Sequence, residues 1–349
     1  MSSDVDFSSL QDVVAAHTAN GFAGAIRISA GQDVIFSGAY GPASRRWPVP
    51  VTEETRFDVA SVTKLFTSVA VLQEVAAGVL DLDVPITAYV DLTGTTISDR
   101  VTLRHLLTHT SGIADDADEE AGESYEDLWR DRANYTVTQT ADFLPQFAFK
   151  PPLFEPGAGC RYCNCGFVLA GLALQRATGM SYRDAVRAQV FTKAGMDRTG
   201  FFDMRDDEPN VAEGWEQNDD GSWRRNIYSY PPIGSPDGGA HCTAADLVRF
   251  MQAVRAGSLL PDWLTRDFLT PQVLHHGTAE HEVHFGFGME FIVVDGVVRS
   301  MYKEGVNTGA SAFVAYYPHR RLDLAIVSAT EGGAWVPLRE ISKLMWAGL

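Results

Sequence analysis

Strand-like segments are concentrated at the two ends of this 349-residue chain, and the stretch between them is mostly helical. Near the N-terminus, Phe22–Ala30 and Asp33–Tyr40 read as two strands joined by a Gly31-Gln32 turn. Near the C-terminus, Gly288–Val294, Val297–Tyr302, Ala310–Tyr317 and Leu322–Ala329 are again rich in β-branched and aromatic residues. Asp295-Gly296 and Pro318-His319-Arg320 supply their turns. After Ser61, apolar residues recur at Leu65, Val69, Leu72 and Val75, the buried stripe of a helix that Gly78 can stop. Asn164 to Thr178 repeats the pattern through Phe167, Leu169, Leu172 and Leu174 before Gly179. A last amphipathic helix is expected over Trp335–Leu349, with Leu338, Ile341, Leu344 and Met345 on one side. The economical fold is α/β (α+β): an antiparallel sheet built from both chain ends, flanked by helices, with a mainly helical region inserted. One unit is expected, its sheet-bearing part about 1–75 and 240–349 and its helical part about 76–239. The cleft between the parts is the place for a small-molecule site.

Charge narrows the partners. With 28 Lys and Arg against 45 Asp and Glu, the net charge of −17 repels phosphate backbones and anionic membranes, so neither nucleic acid nor membrane is an expected partner. No apolar run approaches the roughly 20 residues of a membrane helix. The start Met1-Ser2-Ser3-Asp4-Val5-Asp6 lacks the charged and apolar regions of a secretory signal, which leads to the expectation of a cytoplasmic protein. The acidic run from Asp115 to Asp127 reads first as a solvated loop. Cys160, Cys163 and Cys165 lack the second ligand pair of a zinc site, and they read as reduced, small, buried side chains. His275, His276, His281 and His284 lack a helical metal-binding spacing and are assigned to a loop or surface.

Three short motifs carry chemistry. In Ser61-Val62-Thr63-Lys64, residues three apart share a helix face, so the lysine can reach the serine hydroxyl. A serine is a weak nucleophile without a base, and lysine serves as one only when burial or nearby positive charge lowers its pKa. In Tyr162-Cys163-Asn164 the phenol can share or relay the serine proton, and the amide can hold Lys64 or a substrate carbonyl. In Lys303-Glu304-Gly305-Val306 a strand can offer a backbone N–H to an oxyanion, with Gly305 giving a substrate close approach. Each motif alone is weak: a capped helix, a core tyrosine, a charged edge strand.

Their order is more specific. S-x-x-K, then Y-x-N, then K-x-G resembles the serine β-lactamase-like family of class C β-lactamases, D-alanyl-D-alanine peptidases and β-lactamase-fold carboxylesterases. Val101–Gly112, containing His105-Leu106-Leu107-Thr108-His109-Thr110-Ser111-Gly112, is similar to the family's stretch between the first two motifs. Gly238-Gly239 and Thr243–Leu247 are similar to its later helix entry, and the likeness runs from Phe22 to beyond Ala329. No G-x-S-x-G elbow occurs, which counts against an α/β-hydrolase. The resemblance implies a two-step acyl transfer without metal or organic cofactor. Ser61 is its nucleophile, Lys64 and Tyr162 share its proton, and the backbone N–H groups of Ser61 and Val306 hold the oxyanion. Which of Lys64 and Tyr162 is the base stays open. It also implies that Asn164 orients Lys64 and the substrate, that Lys303 brings positive charge, and that His105 and His109 are structural residues four apart on a helix.

Two departures bear on substrate. Glu304 stands where the lactamases and peptidases carry threonine; facing the site it would repel a substrate carboxylate, and on a strand it can equally point away. The acidic run falls where the family builds the rim of its site. Both favour a small neutral ester or amide, or one with a free amine, over an anionic lactam. Cys163 between Tyr162 and Asn164 suggests sensitivity to thiol reagents. The expected function is therefore a cytosolic carboxylesterase or amidase. A D-amino-acid peptidase or amidase, a β-lactamase or penicillin-binding protein, and an inactive scaffold are the alternatives. The oligomeric state is not legible.

Overall fold

The computed structural model describes residue 7, residues 10–18 and residues 21–347. Its centre is an eight-stranded sheet in which every pair is antiparallel. Across it the order is Asp33–Tyr40, Gly24–Ala30, Leu322–Ser328, Ala310–Tyr317, Val297–Asn307, Glu290–Val294, Glu282–Phe285 and Val273–Gly277. The N-terminal hairpin thus docks on the last strand of the chain, Ala25 opposite Val327 and Ile28 opposite Leu324.

Alternation along these strands feeds two separate cores. Ile26, Ile28, Phe313, Ala315, Leu324 and Ile326 pack toward the Leu10–Thr18 and Trp335–Trp346 helices. Ala25, Ala312, Val314, Ala325 and Val327 face the larger core, which holds the Thr63–Ala76, Asn164–Thr178 and Ala244–Arg255 helices. The C-terminal helix is described over Trp335–Trp346, and residues 348 and 349 of the expected range lie outside the described residues; Ile341 and Met345 are fully buried in it. Gly78 and Gly179 take φ of +71° and +69°, the left-handed stops expected of them. Thr243 caps the Ala244–Arg255 helix by accepting the Asp246 N–H. Among the described residues no helix is long and apolar enough to cross a membrane.

Two expectations are refined and one is corrected. His275 and His276 lie in the Val273–Gly277 strand and His284 in Glu282–Phe285, half-buried or exposed, so of the expected loop or surface it is the surface of a sheet edge that holds them. The first of these is an edge strand with exposed Leu274 and little apolar alternation, so its sequence carried no strand signal. The Val297–Tyr302 strand and the strand expected at Lys303–Val306 are one continuous element, Val297–Asn307. The helix carrying His105 stops at Leu107, so His109 is not on it; that residue sits at φ +59° beyond the helix end.

Candidate active site

Ser61 is delivered by a strained turn. Asp58 pairs with His241 across a short two-stranded ladder, and the Val59 N–H donates to the Ala240 carbonyl at 2.8 Å. Ala60 then takes φ +43°, a left-handed conformation that costs a residue with a Cβ about 1–2 kcal/mol. The Asp58 carboxylate holds it there by accepting the Ala60 N–H at 2.7 Å. A 3-10 turn over Ala60–Val62 runs straight into the Thr63–Ala76 helix, which places Lys64 one turn below Ser61.

Lys64 is fully buried, and its Nζ lies 2.9 Å from Ser61 Oγ, 2.7 Å from Asn164 Oδ1 and 2.6 Å from the Asp237 carbonyl. Burial lowers its pKa to about 8, opposed by the Asp237 carboxylate and assisted by the charge of Lys303. A neutral amine has two N–H donors and one lone pair. Here the two obligate acceptors, an amide oxygen and a carbonyl, take the donors and leave the lone pair facing Ser61. The Tyr162 hydroxyl donates to Ser61 Oγ from the other side at 2.7 Å. Burial, reinforced by the negative charge of Glu119, holds that phenol well above its ordinary pKa, so it keeps its proton.

The Tyr162–Asn164 segment is clasped by the acidic run. Asp115 and Asp116 are buried, which corrects the expectation of a solvated loop for the start of that run. The Asp115 carboxylate accepts the N–H groups of Asn164 (2.8 Å) and Cys165 (2.9 Å), capping the helix that begins at Asn164. Arg161 pairs with Asp118 at 2.6 Å, and Glu120 accepts the Tyr162 N–H at 2.8 Å. Asn164 Nδ2 points to Glu119 at 3.5 Å, at the mouth of the cleft. His109 stacks on the Tyr162 ring at 4.6 Å, and its Nδ1 accepts the Cys163 N–H at 3.0 Å. Burial keeps this imidazole well below its ordinary pKa, hence neutral. His105 Nδ1 accepts the Thr102 N–H at 3.2 Å within a capping box. All four cysteines are unpaired. Cys163 is buried and its thiol pKa is pushed well up by burial and Asp115, which removes the expected sensitivity to thiol reagents.

The third motif lies on the far wall. Val297–Asn307 is paired with Ala310–Tyr317 from Met301 to Asn307, whereas its other neighbour stops at Tyr302. Residues 303–307 therefore present a free edge to the cleft. Lys303 is buried, its ammonium 4.8 Å from the Tyr162 ring centroid and 2.5 Å from the Glu290 carboxylate. A Cβ on Gly305 would stand 2.2 Å from the Val59 carbonyl oxygen and 2.9 Å from Ser61 N. The glycine thus serves close approach of the nucleophile turn, where the sequence suggested approach of the substrate. Val306 is exposed and lines the cleft. Glu304 is exposed on the strand face opposite Lys303, the face it shares with Val306, and its side chain is not part of the lining of the cleft. Tyr230–Gly234 and Asp237–Gly239 complete the cleft around Ser61. Sequence reasoning missed Asp115, Asp237 and Glu290, which act through a cap, a main-chain carbonyl and a cross-strand ion pair that no local motif announces.

Sheet, inserted helices and a lysine-assisted serine at their junction define the class: a serine hydrolase of the β-lactamase/transpeptidase fold. The family described as Beta-lactamase matches residues 10–340, and the chain belongs to it. It is 32% identical over 326 residues to the esterase EstB of Burkholderia gladioli, covering 85% of this chain and 83% of that one. It is 26% identical over 321 residues to penicillin-binding protein 4* of Bacillus subtilis (strain 168), covering 89% and 68%. Among solved structures, the penicillin binding protein from Bacillus halodurans superposes with a TM-score of 0.89 at 34% identity, over 96% of this chain and 99% of that one.

Proposed function

We propose that the protein is a carboxylesterase or amidase working through a Ser61 acyl-enzyme on small, uncharged carbonyl substrates. The observation that carries this reading is the Lys64 coordination, with two acceptors at 2.7 and 2.6 Å that turn the amine lone pair toward Ser61 Oγ. Neutral Lys64 takes the Ser61 proton as Oγ bonds to the substrate carbonyl carbon. The carbonyl π pair moves to oxygen, which the N–H groups of Ser61 and Val306 receive. As the tetrahedral intermediate collapses, the bond to the leaving group breaks with its electron pair. Tyr162 passes a proton to that group and is reprotonated from Lys64. Water then attacks the acyl carbon, giving a proton to neutral Lys64; on collapse the bond to Ser61 Oγ breaks with its electron pair, Oγ takes that proton back, and the acid is released. The similarity to an esterase supports ester substrates, and the buried pairing of Lys303 supports uncharged ones.

The test is parallel incubation with a p-nitrophenyl ester, a D-amino-acid p-nitroanilide and a chromogenic cephalosporin, with Ser61→Ala beside the wild type. Ester turnover that falls by at least about 10³-fold in Ser61→Ala is expected. Turnover retained by that variant would overturn Ser61 as nucleophile. Preference for the anilide would move the function to a D-amino-acid amidase, and rapid cephalosporin turnover to a β-lactamase.

A further inference from the structure

We propose that Glu290 sets the charge selectivity of the cleft, by cancelling Lys303 inside the protein so that substrates without negative charge are preferred. The inference rests on the reading of Ser61 as nucleophile. Glu290 and Lys303 come from adjacent strands; they are 8% and 1% exposed, and their charged groups are 2.5 Å apart. The Lys303 ammonium lies over the ring of Tyr162, whose hydroxyl touches Ser61 Oγ. A cation buried this close to the reacting atoms is poorly screened by water or salt. Left unpaired, it would draw a carboxylate on the substrate, a preference on the order of thirtyfold at a separation of about 8 Å and an effective dielectric near 20. Paired, it presents a short dipole whose field falls away before it reaches the substrate. The carboxyl groups of Glu119 and Asp237 line the same cleft and add no positive charge to it. Glu304, the acidic residue that the sequence suggests for this duty, occupies the opposite face of the strand. The selectivity therefore belongs to Glu290, thirteen positions before Lys303 in the chain.

The experiment compares kcat/KM for p-nitrophenyl butyrate with that for the anionic p-nitrophenyl half-ester of glutaric acid, at pH 7. Glu290→Gln keeps the side-chain shape and an oxygen acceptor for Lys303 but removes the charge. The anionic-to-neutral ratio is expected to rise about tenfold or more. Glu290→Asp keeps the charge and should hold the ratio within about twofold of wild type, which a merely structural role would not require. An unchanged ratio in folded Glu290→Gln overturns the proposal. If that variant does not fold, Glu290→Leu with Lys303→Met replaces the pair by apolar side chains, a change that buried ion pairs often tolerate. The ratio must then stay within about threefold of wild type, because the pair contributed no net charge. A fall of about tenfold would reveal a Lys303 charge that Glu290 had left free, and would overturn the proposal. Loss of the Ser61 nucleophile would appear separately, as butyrate turnover surviving in Ser61→Ala.

Discussion

A lysine can be a base near neutral pH only if something makes its ammonium costly, and at Lys64 that something is complete burial. Asp237, Glu119 and Asp115 pull its pKa back up and Lys303 pushes it down, with a balance at about 8. The sign follows directly. Below this value the amine carries a proton and cannot accept another; above it the lone pair is free. For a neutral ester, kcat/KM should therefore rise tenfold per pH unit on the acid side and level off above pH about 8. Lys64→Met should lose that limb and about 10²–10⁴ in rate. A pH series on both proteins checks it, and a limb centred in the ordinary lysine range would assign the base elsewhere. Tyr162 has no part in the limb, since its hydroxyl stays protonated throughout. At the same scale, Gly305 shows how little room the nucleophile leaves, for one added carbon would meet both Val59 and Ser61.

The element that matters most for the chemistry is the helix Asn164–Thr178, because Asn164 at its first position holds Lys64. Its N-terminus has no capping side chain of its own, and Asp115 from a distant loop fills the role. Removing this carboxylate strands two buried N–H groups and frees the turn that carries Tyr162 and Asn164. Asp115→Ala should cost about 1–2 kcal/mol of stability and lower kcat more than it raises KM. Asp115→Asn, which retains one acceptor oxygen, should cost less. Chemical denaturation with steady-state kinetics on the two variants tests this. Equal losses for both would mean that the carboxylate charge, and not the cap, is what the site needs.

Over the whole molecule, the sheet separates two cores, and only one of them borders the reaction. The Trp335–Trp346 helix packs Ile341 and Met345 on the face away from Ser61, against Ile26, Phe313 and Leu324. Ile341→Ala should cost about 2–4 kcal/mol by opening a cavity there. Its kcat/KM, per folded molecule, should stay within about twofold of wild type, because the sheet stands between the cavity and the cleft. Thermal unfolding and kinetics on the same sample decide the matter. A joined loss of stability and activity would show that the two cores are mechanically one. The faces are also tied across the chain: Asp323 in the last strand is fully buried and accepts both ends of the Arg255 guanidinium, at 2.6 and 2.8 Å.

Much of this was legible in the sequence, for identifiable reasons. The β-branched and aromatic runs of Gly24–Ala30 and Ala310–Tyr317, buried on both faces, and the helical stripe from Leu65 to Val75 are local patterns carried by neighbouring residues. They determined that a sheet is built from both chain ends with helices between. The order of S-x-x-K, Y-x-N and K-x-G determined the family, since three weak motifs multiply in specificity. What the sequence could not determine depends on contacts between residues far apart along the chain. Strand pairing chose the face on which Glu304 lies and set Glu290 against Lys303. Folding of the acidic run beneath the site turned Asp115 from a surface charge into a helix cap. A main-chain carbonyl at Asp237, to which the side-chain code is silent, turned the Lys64 lone pair toward its serine. Charge and hydrogen bonding act through distance in space, and only the tertiary structure decides which groups are close.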